Sequence, residues 1–233
     1  MFEFAANIKP LLLELDEAVP YSQPVPIDML IDLTKKHSAC KQIRLYPSTK
    51  QSIAGAHVAF PEESLLVISY RPCSTHAWGE KDRTCPECRL ERFILAKELS
   101  HAFDCDDERT TAEQAEETLI KEVITGSYAN KQAQADLFGS LWGVELLMRY
   151  QARMDLIGGG VLAESPHLTS ARKTSDFSYF AAQFCIPPKA AEQGFKDPIL
   201  KAMAAVRKHA KLPIRTAFNA AQDQPAFTQS GRA

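Results

Sequence analysis

Residues 89–104 read RLERFILAKELSHAFD, and the rest of the chain is organised around them. The stretch reads as a buried amphipathic helix carrying an altered metal-binding motif. In a zinc helix of the H-E-x-x-H type, two His project from one face a turn apart, close enough to share one ion. The Glu after the first His then reaches a metal-bound water and acts as general base. Here the five positions are Lys97-Glu98-Leu99-Ser100-His101. The base and the second ligand are in place, and a Lys stands at the first. An ammonium must shed a proton against a reference pKa of ~10.4 before it can donate a lone pair, so Lys97 is a poor zinc ligand.

Upstream of this helix, residues 5–17 and 27–36 have apolar positions at helical spacing, with Pro10 expected to start the main part of the first helix. Residues 42–46, 55–60 and 64–70 are strand-like runs punctuated by Pro47-Ser48 and Pro61-Glu62, which predicts a small three-stranded antiparallel sheet. Downstream, the acidic run at 104–109 reads as a solvated helix exit, and 111–124 as a capped helix. A long helix is expected over 131–154, ended by the linker Gly158-Gly159-Gly160. Further helices are expected over 175–184, capped by Ser175 and stopped by Pro187-Pro188, and over 196–210. The tail from 222 is polar and aperiodic. The fold class is α+β and mostly helical.

Between the last strand and the organising helix lie Cys73-Ser-Thr-His76 and Cys85-Pro-Glu-Cys88. This C-x2-H … C-x2-C pattern can supply four ligands to a tetrahedral zinc. Four protein ligands leave no open position, so such a zinc would be structural, its binding supplying folding energy to a loop with little apolar content. A redox C-x-x-C lacks its strand–helix setting here. Cys40, Cys105 and Cys185 read as core or half-exposed thiols.

Residues 92–101, RFILAKELSH, are similar to R-F-T-L-A-H-E-L-G-H of the ImmA/IrrE metallopeptidase family, matching at Arg92, Phe93, Leu95, Ala96, Glu98, Leu99 and His101. Residues 136–148 resemble that family's E-x-x-A-x-x-F-A-x-x-L-L-M-P. Asp136 takes the position of its third zinc ligand, Gly139 and Gly143 the small positions, Trp142 the aromatic one, and Leu146-Leu147-Met148 match outright. Arg149 stands where Pro is usual, and residues 178–191 look like the helix and turn that follow. The resemblance spans roughly residues 24–195. It implies a zincin-like domain over 1–156 with the loop 71–89 inserted, a helical extension over 161–212 and a tail over 213–233. Glu98 is then a vestigial general base, and Lys97, His101 and Asp136 vestigial ligand positions. The Lys97 ammonium is expected to occupy the place of the metal, paired with Glu98 or Asp136, which argues against a catalytic zinc.

The resemblance implies a regulatory protein that holds a partner, such as a helix-turn-helix repressor, without cutting it. The competing expectation is an active zinc endopeptidase using His101, Asp136 and a substitute ligand such as His76 or water, with Glu98 as base. A plain DNA-binding or scaffold module is disfavoured by a net charge of −2 and a pI near 6.3 with no basic stripe. No apolar run approaches the ~20 residues a bilayer requires, and no signal peptide is expected, so cytoplasm is the expected location.

Overall fold

The computed structural model describes residues 2–48, 55–78, 82–103, 131–157 and 166–212. The chain opens with α1 (Phe2–Ala18), which buries Phe4, Ile8, Leu11, Leu12 and Leu15 along one stripe. Pro10 lies inside this helix rather than at its start. It is solvent-facing, so its missing N–H falls on the wet side while the buried stripe carries the helix across it. Next, α2 (Ile27–His37) buries Ile27, Leu30 and Leu33, with Asp28 in its first turn and Lys35, Lys36 and His37 in its last, all favourable to the helix dipole.

Three strands follow: β1 (Gln42–Pro47), β2 (Gly55–Phe60) and β3 (Leu65–Tyr70). The sheet is mixed, not antiparallel. Its order is β1-β3-β2, with β1 parallel to β3 and β2 antiparallel to it. Strand directions alternate along the chain as short connections favour, but β3 inserts between the other two. Burial explains the insertion. β3 (LLVISY) is the most buried strand, while β1 and β2 are largely exposed, so the central place goes to the strand with most to hide. Pro47 then sits on an edge strand, where a missing donor is tolerated.

The organising helix is α3 (Pro86–Ser100), continued by a 3-10 turn (His101–Phe103). Arg92 anchors it by donating to the carbonyls of Val25 and Cys185, at 2.6 and 3.3 Å. The helix expected at 111–124, the acidic exit, Cys105, the Gly158-Gly159-Gly160 linker and the tail lie outside the described residues.

Instead of one helix over 131–154 there are two, α4 (Lys131–Leu147) and α5 (Tyr150–Leu156). The break is at Arg149, whose extended backbone (φ −53°, ψ 149°) caps α5. Its guanidinium crosses to the end of α1, donating to the carbonyls of Leu15, Val19 and Pro20 and to Asp16. The Leu15 and Pro20 carbonyls also accept from the Val19 and Gln23 N–H groups, so the guanidinium adds a second donor where the chain leaves α1. Glu145 closes the same break by accepting the Tyr150 N–H at 3.1 Å.

Four further helices complete the described chain: α6 (Pro166–Thr174), α7 (Ser178–Phe184), α8 (Pro188–Gly194) and α9 (Asp197–His209). The sequence reading missed α6 and α8. Ser175 does not cap α7, because its φ of 56° places it in a left-handed turn after α6. The N-cap is Phe177, and Asp176 just before it accepts the Ser178 N–H at 2.9 Å. Pro187-Pro188 both stops α7 and starts α8, with Pro188 at the first helical position.

One cluster of buried residues runs from Phe4 in α1 to Leu212 after α9. Within it lies a charge network. Arg149 and Arg207 meet Asp16, while Arg153 and Arg207 meet Glu145. Arg153 also donates to the Gly194 carbonyl. The network therefore links α1, α4, α5, α8 and α9. No helix among the described residues is long and apolar enough to cross a membrane.

Candidate functional site

Two clusters of metal-ligating side chains flank α3, one at each end. At its N-terminus, Cys85 is the N-cap, Pro86 the first helical residue, and Cys88 points from the first turn. Cys73 and His76 come from the loop after β3. Cys73 Sγ lies 3.8 Å from Cys85 Sγ and 3.6 Å from His76 Nδ1, and Cys88 Sγ lies 3.4 Å from the same nitrogen. All four expected ligands thus converge, close enough to hold one metal ion.

The loop is held to the helix by its own polar groups. Buried Glu91 accepts the Cys73 N–H at 2.7 Å, and Glu87 accepts both the N–H and the hydroxyl of Ser74. The two central thiols are driven apart in acidity. For Cys73, burial opposes ionisation, but hydrogen bonds from Thr75, His76 and Cys88 bring it down to about 7. Burial and the neighbouring Cys73 push Cys88 up to about 12. An ion bound here would displace the protons that the thiols still hold. Cys40 and Cys185 are buried, away from this cluster, as core thiols.

At the other end of α3 stand Lys97, Glu98 and His101. Here α4 crosses at very close range. A methyl group on Gly139 would stand 2.7 Å from His101 Nε2 and 3.2 Å from Lys97 Cγ, and one on Gly143 would stand 3.2 Å from the Lys97 backbone nitrogen. The two small residues, one turn apart on α4, thus make room for the two positions one turn apart on α3. Asp136 lies on α4 a turn before Gly139, and its side chain lies outside the described residues.

Glu98 is 2% exposed, and Lys97 Nζ is 3.2 Å from its Oε1. Of the two pairings expected for Lys97, with Glu98 or with Asp136, the one with Glu98 is present, and the Asp136 side chain lies outside the described residues. The other oxygen, Oε2, is 2.7 Å from Nδ1 of His57, a residue the sequence reading had not singled out. The His57 ring stacks on that of His101, with centroids 3.9 Å apart and planes at 16°. Burial works against the Glu98 carboxylate, but the His57 hydrogen bond and the charges of Lys97 and His101 outweigh it and hold its pKa below the ordinary value.

His57 reaches the site because Gly55 lets β2 approach α3. A methyl group at Gly55 would collide with Ile94 Cγ2 and stand 2.9 Å from Glu98 Oε1. Residues two apart on a strand share a face, so the contact that seats Gly55 on α3 also delivers His57 to Glu98 and His101. The available sequence signal was weak: one His two residues after a Gly in a strand-like run. His76, considered as a substitute ligand for this cleft, belongs to the cysteine cluster instead.

No family model, curated protein or solved structure matches this chain.

Proposed function

We propose that the chain is a regulatory protein on an ImmA/IrrE-like scaffold that binds a protein partner without hydrolysing it, and that the cysteine cluster holds a structural zinc. The observation that carries the silent reading is Lys97 Nζ at 3.2 Å from Glu98 Oε1. A tethered cation at the first-ligand position neutralises the carboxylate that hydrolysis would use as a base. The seating of Gly139 and Gly143 against Lys97 and His101 supports the likeness to the family's two motifs, as does the helix break at Arg149, where the family places Pro. A helix-turn-helix repressor is the kind of partner this resemblance suggests.

The spacing of the cysteine cluster supports zinc. Tetrahedral bonds of ~2.3 Å to sulfur and ~2.0–2.1 Å to nitrogen set ligand atoms about 3.8 Å (S to S) and about 3.5 Å (S to N) apart. The corresponding separations are 3.8 Å, and 3.6 and 3.4 Å. With three sulfurs and one nitrogen, the donor set is also soft enough to favour zinc over magnesium or calcium.

Metal analysis and proteolysis together test this reading. The purified chain should carry one tightly held zinc, lost from the Cys85→Ser/Cys88→Ser variant, and should leave unfolded protein substrates intact. Zinc-dependent cleavage by the wild-type chain, abolished in Glu98→Gln, would refute the silent reading.

A further inference from the structure

We infer that His57, Glu98 and His101 form a second metal site, for one borderline divalent cation such as zinc, cobalt or nickel. The three side chains offer ligand atoms that all lie within 4.8 Å of one another. Two imidazoles and a carboxylate are a complete three-ligand set for such ions, leaving a fourth position open. The site does not reproduce the motif ligands implied by the family resemblance. Lys97 at the first-ligand position is engaged with Glu98, and the replacement imidazole comes from β2, on a different element.

The geometry shows what binding requires. Bonds of ~2.0–2.1 Å in a tetrahedron place ligand atoms about 3.3 Å apart, so the trio must close somewhat around an ion. The stacked rings must also splay, because a metal lies in the plane of each imidazole that binds it. His57 can make that turn: its side chain is 30% exposed, whereas Glu98 and His101 are buried at 2% and 8%. Two ligands are thus fixed on α3 and its continuation, and the third closes from the sheet edge. Occupation would staple β2 to α3.

Lys97 sets the affinity. Its ammonium sits on the same carboxylate and repels a dication, so the metal and Lys97 compete for Glu98. With Glu98 engaged as a ligand, the motif's general base is spent. A bound ion therefore does not by itself restore hydrolysis. The inference is independent of the partner-binding proposal.

Cobalt(II) titration of the intact chain with its cysteine cluster already zinc-filled tests this site, with visible absorption and metal analysis as readouts. The expected result is one further cobalt per chain, with d–d bands and no sulfur-to-cobalt charge-transfer band. Binding should be lost in His57→Ala and in His57→Gln, both with unchanged circular dichroism. It should tighten about tenfold in Lys97→Met, as removal of a unit charge near a dication implies. Absence of a further cobalt, retention of binding in both His57 variants, or an unchanged affinity in Lys97→Met would overturn the inference. Cobalt-dependent proteolysis would overturn the silent reading and, because it needs Glu98 as base, the assignment of Glu98 as a ligand.

Discussion

Glu145→Gln should be among the most damaging single substitutions in the chain, although it changes one heavy atom and belongs to neither group of metal-ligating side chains. Glu145 is fully buried on α4 and serves three donors: Arg153, Arg207 at 3.0 Å and the Tyr150 N–H at 3.1 Å. Two buried carboxylates, Asp16 and Glu145, face the three buried guanidiniums of Arg149, Arg153 and Arg207. Neutralising Glu145 leaves Asp16 alone against all three. Arg153 then loses its carboxylate partner and keeps the Gly194 carbonyl. Burial already depresses the Arg153 pKa, and Glu145 opposes that shift. Removing one partner of a buried pair costs about 3–5 kcal/mol, a large part of a typical stability of ~5–15 kcal/mol. With a urea slope of ~3 kcal/mol/M, the unfolding midpoint should fall by about 1–1.7 M in metal-replete buffer. Glu145→Leu/Arg153→Met should recover more than half of that loss, because it removes both charges and leaves Arg207 with Asp16. A Glu145→Gln midpoint within about 0.3 M of wild type would refute the claim that the network holds α1, α4, α5 and α9 together.

Gly55→Ala should destabilise the chain by about 1–3 kcal/mol through overpacking on Ile94 and Glu98, and the His57 imidazole resonances should shift as β2 is pushed off α3. Unchanged resonances would count against the close approach. If the cysteine cluster holds a metal as proposed, chelation should loosen the loop carrying Cys73 and His76, read as faster hydrogen exchange and a change in Trp78 emission. Far-ultraviolet dichroism should hardly move, because the apolar core is built elsewhere. Global unfolding on chelation would show that the metal holds more than the loop. Glu14 gives a pH dependence. Lys36 first, then His37, hold its carboxyl below the ordinary carboxylate range through hydrogen bonds. A depressed folded pKa contributes stability above the unfolded pKa and loses it as pH falls through the folded one. The stability gap between wild type and Glu14→Gln should therefore be present at pH 7 and shrink as pH falls through the lowered folded pKa; urea midpoints across that range measure it, and a constant gap would contradict the pairing.

What could be read from sequence was whatever depends on local spacing. The helical stripes of α1 and α2, the three strand-like runs and the C-x2-H … C-x2-C ligands are all set by residues a few positions apart, and each has its counterpart in the structure. The pairing of Lys97 with Glu98 was one of two that the sequence offered, the other being with Asp136. What escaped was decided across long separations. The insertion of β3 between β1 and β2 follows from relative burial, which no single run reveals. The break at Arg149 depends on carbonyls more than a hundred residues away, at the end of α1, so a periodicity that runs smoothly through 131–154 conceals it. His57 is the clearest case. Its role depends on Gly55 fitting against Ile94 and Glu98, some forty residues downstream in the chain, and on a strand face that only the sheet order fixes. The motif at 97–101 therefore gives an incomplete account of the chemistry around it. Lys97 removes a ligand from the helix while the sheet edge brings a different one to the same carboxylate. The metal-binding capacity of this cleft then depends on which cation, tethered or free, holds Glu98.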